Sequence, residues 1–163
     1  MPLLVRPAVG PSATVLARSP LAPADLLPLV AEHPLPAMFT GWGPFPAVRR
    51  VDGQTGAWDR AGRTRTIRLA DGGAVTETVV EFTPGHGFAY ELTGFTDVFD
   101  RLVHGVRGEW GFTPDGDGSV VRWTWEFAAR PGRRLLMALV VGPLWRVYMA
   151  RMIRTAVREL SRR

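Results

Sequence analysis

Apolar and polar positions divide the chain into three parts with different periodicities. Ten of the fourteen prolines lie in residues 1–46, where they break the sequence into pieces too short for a long helix or a central strand. Within this part, residues 12–18 are predicted to form one strand. Residues 22–32 are predicted to form a short helix, because Pro23 suits its first turn. A second short helix or turn is predicted around Met38.

From residue 47 onward, short apolar runs alternate with turn signals, as is typical of an antiparallel meander. The turns are rich in glycine, aspartate and proline, and the segment Pro114-Asp-Gly-Asp-Gly118 marks the clearest hairpin. The predicted strands are residues 47–51, 64–70, 74–82, 87–93, 106–113 and 120–129.

The last predicted strand carries a large aromatic residue at every second position. Trp123, Trp125 and Phe127 alternate with polar neighbours, so one face of the strand is aromatic and the other is polar. The two preceding strands repeat this pattern with Phe88, Tyr90, Leu92, Val106, Gly108, Trp110 and Phe112. These residues are predicted to form the inner face of the sheet.

Residues 133–163 are predicted to form a C-terminal helix that extends roughly 45 Å at ~1.5 Å per residue. Gly142-Pro143 is expected to kink or split it, since proline lacks an amide hydrogen and clashes with the preceding turn. The apolar run 135–145 is too short to span a bilayer and is expected to pack against the sheet. Beyond it, one side of the helix is apolar at positions 145, 148, 149, 152, 153, 156 and 160, and the other carries Arg151, Arg154, Arg158 and Arg162.

Four segments carry a resemblance to a known family: residues 62–72 (GRTRTIRLADG), 75–84 (VTETVVEFTP), 88–92 (FAYEL) and 113–125 (TPDGDGSVVRWTW). Together with the element order, they resemble the SRPBCC or START-like superfamily, particularly its polyketide cyclase/dehydrase-like members. The resemblance covers roughly residues 12–162 and implies an α+β helix-grip fold. In that fold, a curved antiparallel sheet of about seven strands wraps around a long C-terminal helix, with one or two short helices after the first strand. The resemblance also implies a cavity for apolar molecules, but it carries no catalytic signature.

The length of 163 residues fits one ligand-binding domain over residues 1–163, with residues 1–11 as a loose extension. The chain has no cysteine and no lysine, which excludes disulfides, thiolate nucleophiles and lysine Schiff bases. The net charge of +5 is uneven, because residues 130–163 hold nine arginines and one acid. Since the basic charge belongs to one segment, no nucleic-acid partner is expected. The N-terminus lacks a secretory signal pattern, and a cytoplasmic location is expected.

The inner face of the sheet and the apolar stripe of the helix are predicted to enclose a cavity for a flat or lipid-like ligand. An alternative is that the same rings simply fill the core. The candidate ligand-binding residues are Tyr90, Trp110, Phe112, Trp123, Trp125, Tyr148, Met149 and Met152.

Four residues are candidates for acid–base chemistry: Tyr90, His104, Arg65 and Glu77. The alternation places Glu77 and Glu81 on the same face of their strand. We expect this face to point to solvent, where both carboxylates would form cross-strand ion pairs. If Glu77 instead faces the cavity, it can act as a general base or anchor a ligand hydroxyl near Arg65 or Arg68.

The three histidines show no metal-ligand spacing, so neither a metal nor another cofactor is expected. His104 lies in a connection, residues 96–104, that could line the cavity mouth. His86 is predicted at an exposed turn, and His33 in a loop.

Three functions remain open. The first is a carrier, sensor or sequestering protein for a small hydrophobic molecule, and the second is a polyketide aromatase/cyclase-type enzyme. The third uses the basic C-terminal helix to meet a membrane or a partner protein, although a solvated helix face is the simpler interpretation of its arginines.

Overall fold

A computed structural model describes residues 10–163, and its centre is a seven-stranded antiparallel sheet in the order β1-β7-β6-β5-β4-β3-β2. The strands are β1 (Ser12–Ser19), β2 (Val48–Asp52), β3 (Thr64–Leu69), β4 (Ala74–Thr83), β5 (Gly87–Thr93), β6 (Val103–Asp115) and β7 (Gly118–Ala129). Two short helices, α1 (Pro23–Ala31) and α2 (Leu35–Met38), separate β1 from β2, and a 3-10 helix, Val98–Arg101, precedes β6. The predicted helix-grip arrangement is confirmed.

The C-terminal helix runs from Arg134 to Leu160 in three parts: α3 (Arg134–Leu136), a π-helical turn (Met137–Val141) and α4 (Gly142–Leu160). The interruption predicted at Gly142-Pro143 therefore takes the form of a wider turn just before the proline. This turn accommodates the missing amide hydrogen of Pro143 and keeps its ring clear of the preceding carbonyls. A Cβ atom on Gly142 would approach the carbonyl oxygen of Met137 to 2.7 Å, so the turn also favours glycine.

The strand periodicity predicts the core correctly. Alternate residues of β7, from Val121 to Phe127, are buried, and the predicted apolar stripe of α4 is buried along its whole length. The sheet and α4 meet where the rings of Trp125 and Trp145 have centroids 4.3 Å apart. At the other end of α4, the hydroxyls of Ser19 and Ser161 are 3.0 Å apart, which ties the helix to β1.

The expectation that run 135–145 packs against the sheet is wrong. Of its side chains, only those of Met137 and Trp145 are buried, whereas Leu135 is 73% exposed and Leu139 is 71% exposed. Residues 135–141 are apolar on all sides of the helix, and the rest of the protein covers only one of those sides.

The predicted loose extension at residues 1–11 lies largely outside the described residues. Where the description begins, Pro11 already joins the fold, because its carbonyl oxygen accepts a hydrogen bond of 2.8 Å from the amide of Phe127.

His33 gives the fold a sensitivity to acid. Its side chain is buried, and within residues 10–163 neither ring nitrogen has a hydrogen-bond partner. Burial lowers the pKa of His33 below its ordinary value of 6.5, so the unfolded chain binds a proton more readily than the native one.

We therefore expect the free energy of unfolding to be highest above about pH 6.5 and to fall as the pH drops through and below that value. Urea unfolding at about pH 8 and about pH 5.5 measures the change, and His33→Leu should reduce it. His86→Gln, at an exposed turn, is the matched control. An equal pH response in wild type and His33→Leu would contradict this role.

Candidate ligand-binding site

A cavity of about 240 Å³ lies between the inner face of the sheet, the loop after α2, the 3-10 connection and the start of α4. At its mouth the lining residues Pro44, Asp71, Val98 and Leu144 are exposed. Eleven of its thirty lining residues are aromatic, and most of the others are aliphatic; the aromatic ones are Phe39, Phe45, Trp58, Phe88, Tyr90, Phe95, Phe99, Trp110, Trp123, Trp125 and Trp145. The interior of this fold is therefore not filled by its own side chains.

Tyr90 is held across the inner face of the sheet by two indoles. The Nε1–H groups of Trp123 and Trp125 donate hydrogen bonds to its hydroxyl oxygen at 3.0 and 2.8 Å. Since the oxygen accepts both bonds, the hydroxyl proton remains to be donated elsewhere. Burial, with a smaller contribution from the charge of Glu77, raises the pKa of Tyr90 far above its ordinary value. The hydroxyl is therefore a hydrogen-bond donor across the physiological pH range.

Gly108 makes this position of Tyr90 possible. Tyr90, Gly108 and Trp125 are directly opposite one another on β5, β6 and β7. A Cβ atom on Gly108 would lie 2.0 Å from Cζ of Tyr90 and 2.4 Å from its hydroxyl oxygen. The ring can lie across β6 and reach the indoles of β7 because this residue has no side chain.

An ion pair forms a second polar feature of the cavity wall. Nε of Arg65 on β3 donates to Oε2 of Glu77 on β4 at 2.6 Å, and the two side chains are only 7% and 5% exposed. The Arg65 guanidinium also lies 3.9 Å from the centroid of the Trp58 ring, and its Nη1 donates to Oε1 of Gln54 at 3.3 Å. Burial raises the pKa of Glu77, and the charge of Arg65 opposes part of that shift.

The preferred assignment of Glu77 to solvent is wrong, and a β-bulge explains why. The register between β4 and β5 shifts between Val79 and Glu81, so the two carboxylates lie on opposite faces of the sheet. Glu77 faces the cavity, whereas Glu81 is exposed and pairs at 2.9 Å with Arg107 on the outer face. Arg68 is also directed outward and pairs with Asp52 at 3.1 Å.

The structure brings together four of the eight predicted ligand residues: Tyr90, Trp110, Trp123 and Trp125 line the cavity. The other four, Phe112, Tyr148, Met149 and Met152, are buried in the core and lie outside the cavity wall. Tyr148 has a structural partner instead, because its hydroxyl accepts a 2.8 Å hydrogen bond from the amide of Gly41. Its ring packs among the aromatic residues of the loop after α2.

Among the candidate acids and bases, Arg65, Glu77 and Tyr90 line the cavity and His104 does not. The register between β6 and β7 shifts between Val103 and Gly105, so His104 lies at a bulge and is exposed. Its Nδ1 is 3.2 Å from Nη1 of Arg130 on the outside of the protein. The connection before it does reach the cavity mouth, through Phe95, Val98 and Phe99. The exposed turn predicted for His86 is confirmed.

Trp58 is one of several wall residues that sequence reasoning missed. It lies in a polar, glycine-containing loop between β2 and β3, yet it is almost fully buried, and its amide donates to Oε1 of Glu32. A single tryptophan in an otherwise polar loop was the available signal. Within residues 10–163, Nε1 of Trp58 and Nε1 of Trp145 are buried without a hydrogen-bond partner. Both residues belong to the cavity wall.

Comparison with known proteins identifies the family and the fold. Residues 11–163 match the family described as polyketide cyclase/dehydrase and lipid transport. No protein of curated function matches the sequence significantly.

Similar solved structures include Ara h 8.0201, at 14% identity and a TM-score of 0.67 over 92% of this chain and 96% of that one. Norcoclaurine synthase from Thalictrum flavum, solved with dopamine and hydroxybenzaldehyde, is 16% identical with a TM-score of 0.66, covering 94% and 87% of the two chains. A protein from Thermus thermophilus is 15% identical with a TM-score of 0.66, covering 92% and 97%. At these identities the likeness shows the shared fold.

Gly108→Ala should displace the Tyr90 ring and leave two indole N–H groups without their acceptor. We expect a loss of about 2–4 kcal/mol in the free energy of unfolding, measured by urea denaturation. The same substitution in a Tyr90→Leu background should cost much less, because the clashing ring is absent. Equal costs in the two backgrounds would show that Gly108 serves another purpose.

The Arg65–Glu77 ion pair should add little to the free energy of unfolding. Removal of only one partner should nevertheless be costly, because it leaves the other charge buried and unpaired. Glu77→Leu leaves a buried guanidinium unpaired and should cost about 3–5 kcal/mol. The double variant Arg65→Met/Glu77→Leu should return to within about 1 kcal/mol of wild type or exceed it, as measured by chemical denaturation. A double variant as unstable as the single one would show that the pair is needed for stability.

Proposed function

Because the chain belongs to the polyketide cyclase/dehydrase and lipid transport family of the SRPBCC superfamily, we propose that it binds a small hydrophobic molecule, aromatic or lipid-like, in this cavity. It would act as a carrier, sensor or sequestering protein. The observation that carries the proposal is an aromatic cavity with one buried polar cluster, formed by Arg65, Glu77 and Tyr90.

The size of the cavity limits the ligand. Its 240 Å³ exceed the ~150 Å³ that accommodate benzene in an engineered protein cavity and fall below the ~300 Å³ at which drug-sized pockets begin. A body of one or two rings, or a short branched chain, fits this space. Burial of apolar ligand surface, at roughly 25 cal/mol per Å², supplies most of the binding free energy.

The polar cluster favours a ligand with one oxygen function. The Tyr90 hydroxyl has a proton to donate, and the carboxylate of Glu77 can accept one. Glu77 and Tyr90 are diagonal neighbours on adjacent strands, since Val79 is opposite Tyr90 and Glu77 is opposite Leu92. The Tyr90 hydroxyl reaches toward the indoles of β7 and the Glu77 carboxylate pairs with Arg65 of β3, so each offers a hydrogen bond to a ligand oxygen at a different part of the apolar wall.

Glu77 and Tyr90 together also favour a second candidate function, an aromatase/cyclase-type enzyme. A carboxylate whose pKa is raised by burial is a better general base near neutrality, and a neutral phenol can stabilise a developing enolate oxygen. Glu77 would take a proton from the carbon next to a carbonyl, and Tyr90 would donate a hydrogen bond to that carbonyl oxygen. As the carbon–carbon double bond forms, the hydroxyl on the neighbouring carbon would leave and take the proton from Glu77, so that water is released. Norcoclaurine synthase, which shares the fold, is an enzyme solved with small aromatic molecules.

Binding of 2-naphthol and of naphthalene tests the polar contact, because the two probes differ only in the hydroxyl. Wild type should bind 2-naphthol more tightly, and Tyr90→Phe should weaken that binding by about fivefold, the worth of roughly 1 kcal/mol for one hydrogen bond. Naphthalene affinity should stay unchanged. Quenching of the tryptophan fluorescence from the cavity wall reports both affinities.

Tyr148→Phe is the matched control, since the chain has two tyrosines and this one lies outside the cavity wall. It should preserve the preference for 2-naphthol. If wild type binds neither probe, or if both tyrosine variants lose the preference equally, the proposed site is wrong.

Native mass spectrometry separates the carrier from the enzyme. A molecule that stays bound after purification from a cell extract and keeps its mass on prolonged incubation supports a carrier. A bound molecule that loses the mass of water with wild type, but not with Glu77→Gln, supports the enzyme.

A further inference from the structure

An exposed apolar surface lies beside the mouth of the cavity. We call it the mouth patch, and it comprises Leu135, Leu136, Leu139, Val140, Leu144 and Val147 of the C-terminal helix. The adjacent pairs Leu135/Leu136 and Leu139/Val140 are one helical turn apart, and Leu144 and Val147 follow after four and three residues, so together they form a broad apolar band on the exposed part of the helix. Leu144 also lines the cavity, as does Val98, which is 67% exposed. The mouth patch and the cavity entrance are therefore one continuous surface.

The charges around the mouth patch are mainly positive. Arg133 and Arg134 precede it, Arg146 lies within it, and all three are exposed. Farther along α4, the exposed face changes from apolar residues to Arg151, Arg154 and Arg158. The neighbouring acids are Asp71 and Asp97, which line the cavity, and Asp100, which pairs with Arg130 at 2.8 Å.

We propose that the mouth patch docks on an anionic lipid surface, with its leucines among the headgroups and its arginines on lipid phosphates. Residues 130–163 carry nine arginines and one acid, and such a segment is attracted to anionic headgroups. A second copy of the chain is a poorer occupant, because a two-fold interface would bring Arg133 and Arg134, at one end of the patch, close to Arg146 at the other end of the copy.

The helix lies on the surface in this arrangement and does not cross the membrane. Arg134–Leu160 is long and apolar enough to span a bilayer by length and composition. However, Trp145, Tyr148, Met149 and Ile153 belong to the protein core, and a spanning helix would have to leave it. Docking by the mouth patch turns the cavity entrance toward the bilayer, so an apolar molecule can pass between lipid and cavity without entering water.

Vesicle flotation tests the proposal with the intact chain. Wild type should bind vesicles of equimolar phosphatidylcholine and phosphatidylglycerol, and bind vesicles of phosphatidylcholine alone much more weakly. Leu135→Ser/Leu139→Ser should weaken binding at least tenfold, because each leucine loses an apolar contact with lipid. Arg133→Gln/Arg134→Gln should weaken it about tenfold or more and reduce its dependence on salt concentration.

Two surface variants are matched controls, because they remove the same residue types outside the mouth patch. Leu16→Ser removes an exposed leucine from β1, and Arg49→Gln removes an exposed arginine from β2. Both variants should bind the anionic vesicles as tightly as wild type does. All substituted residues are exposed, and unchanged melting temperatures should confirm intact folds.

The proposal is overturned if wild type binds neither vesicle, or if the leucine variant binds like wild type. It is also overturned if sedimentation shows a wild-type dimer that Leu135→Ser/Leu139→Ser dissociates, since a second copy then covers the patch. The naphthol experiment reports on the cavity alone, so its failure and the failure of docking are distinguishable.

Discussion

The curvature of the sheet is the constraint on which the rest of the structure depends. A bent sheet of seven strands has an inner face wider than one helix can cover, and α4 lies on the side of β1 and β7, where Trp125 meets Trp145. Over β3 and β4 the inner face is closed by loops, which contribute Phe39, Phe45 and Trp58. Loops fill space less completely than a packed helix does, so the cavity remains on that side.

The Arg65–Glu77 part of the polar cluster lies in the part of the sheet that α4 leaves uncovered. Arg65 and Glu77 come from β3 and β4, and a buried ion pair contributes little more stability than apolar side chains of the same size. Tyr90 adds a hydroxyl whose proton neither indole can accept. A core selected for packing alone has no need of this arrangement, whereas the proposed recognition of an oxygen-bearing ligand would use it. The arrangement therefore supports the proposed ligand binding.

The sequence predicted the fold well because strand alternation and the helical stripe are periodic signals that extend over many residues. It predicted the site less well because two bulges interrupt the alternation. One places Glu77 and Glu81 on opposite faces, and the other puts His104 outside. A bulge adds a single residue and leaves no clear mark in the pattern of apolar positions. Tyr148 shows a further limit, since periodicity predicts that a residue is buried but not whether it contacts the core or a cavity.

The π-helical turn decides which side of the C-terminal helix meets solvent. In a regular α-helix, the buried stripe of α4 would continue back from Gly142 to Ala138, four residues earlier. In the π-helical turn it continues to Met137, five residues earlier, and Ala138 is exposed. The protein therefore covers the Met137 side of residues 135–141. Leu135, Leu139 and Val140 are exposed to solvent although they are apolar. Single domains rarely expose an apolar surface of this kind without a partner. The π-helical turn before Pro143 therefore connects the path of the helix to the docking surface proposed beside the cavity mouth.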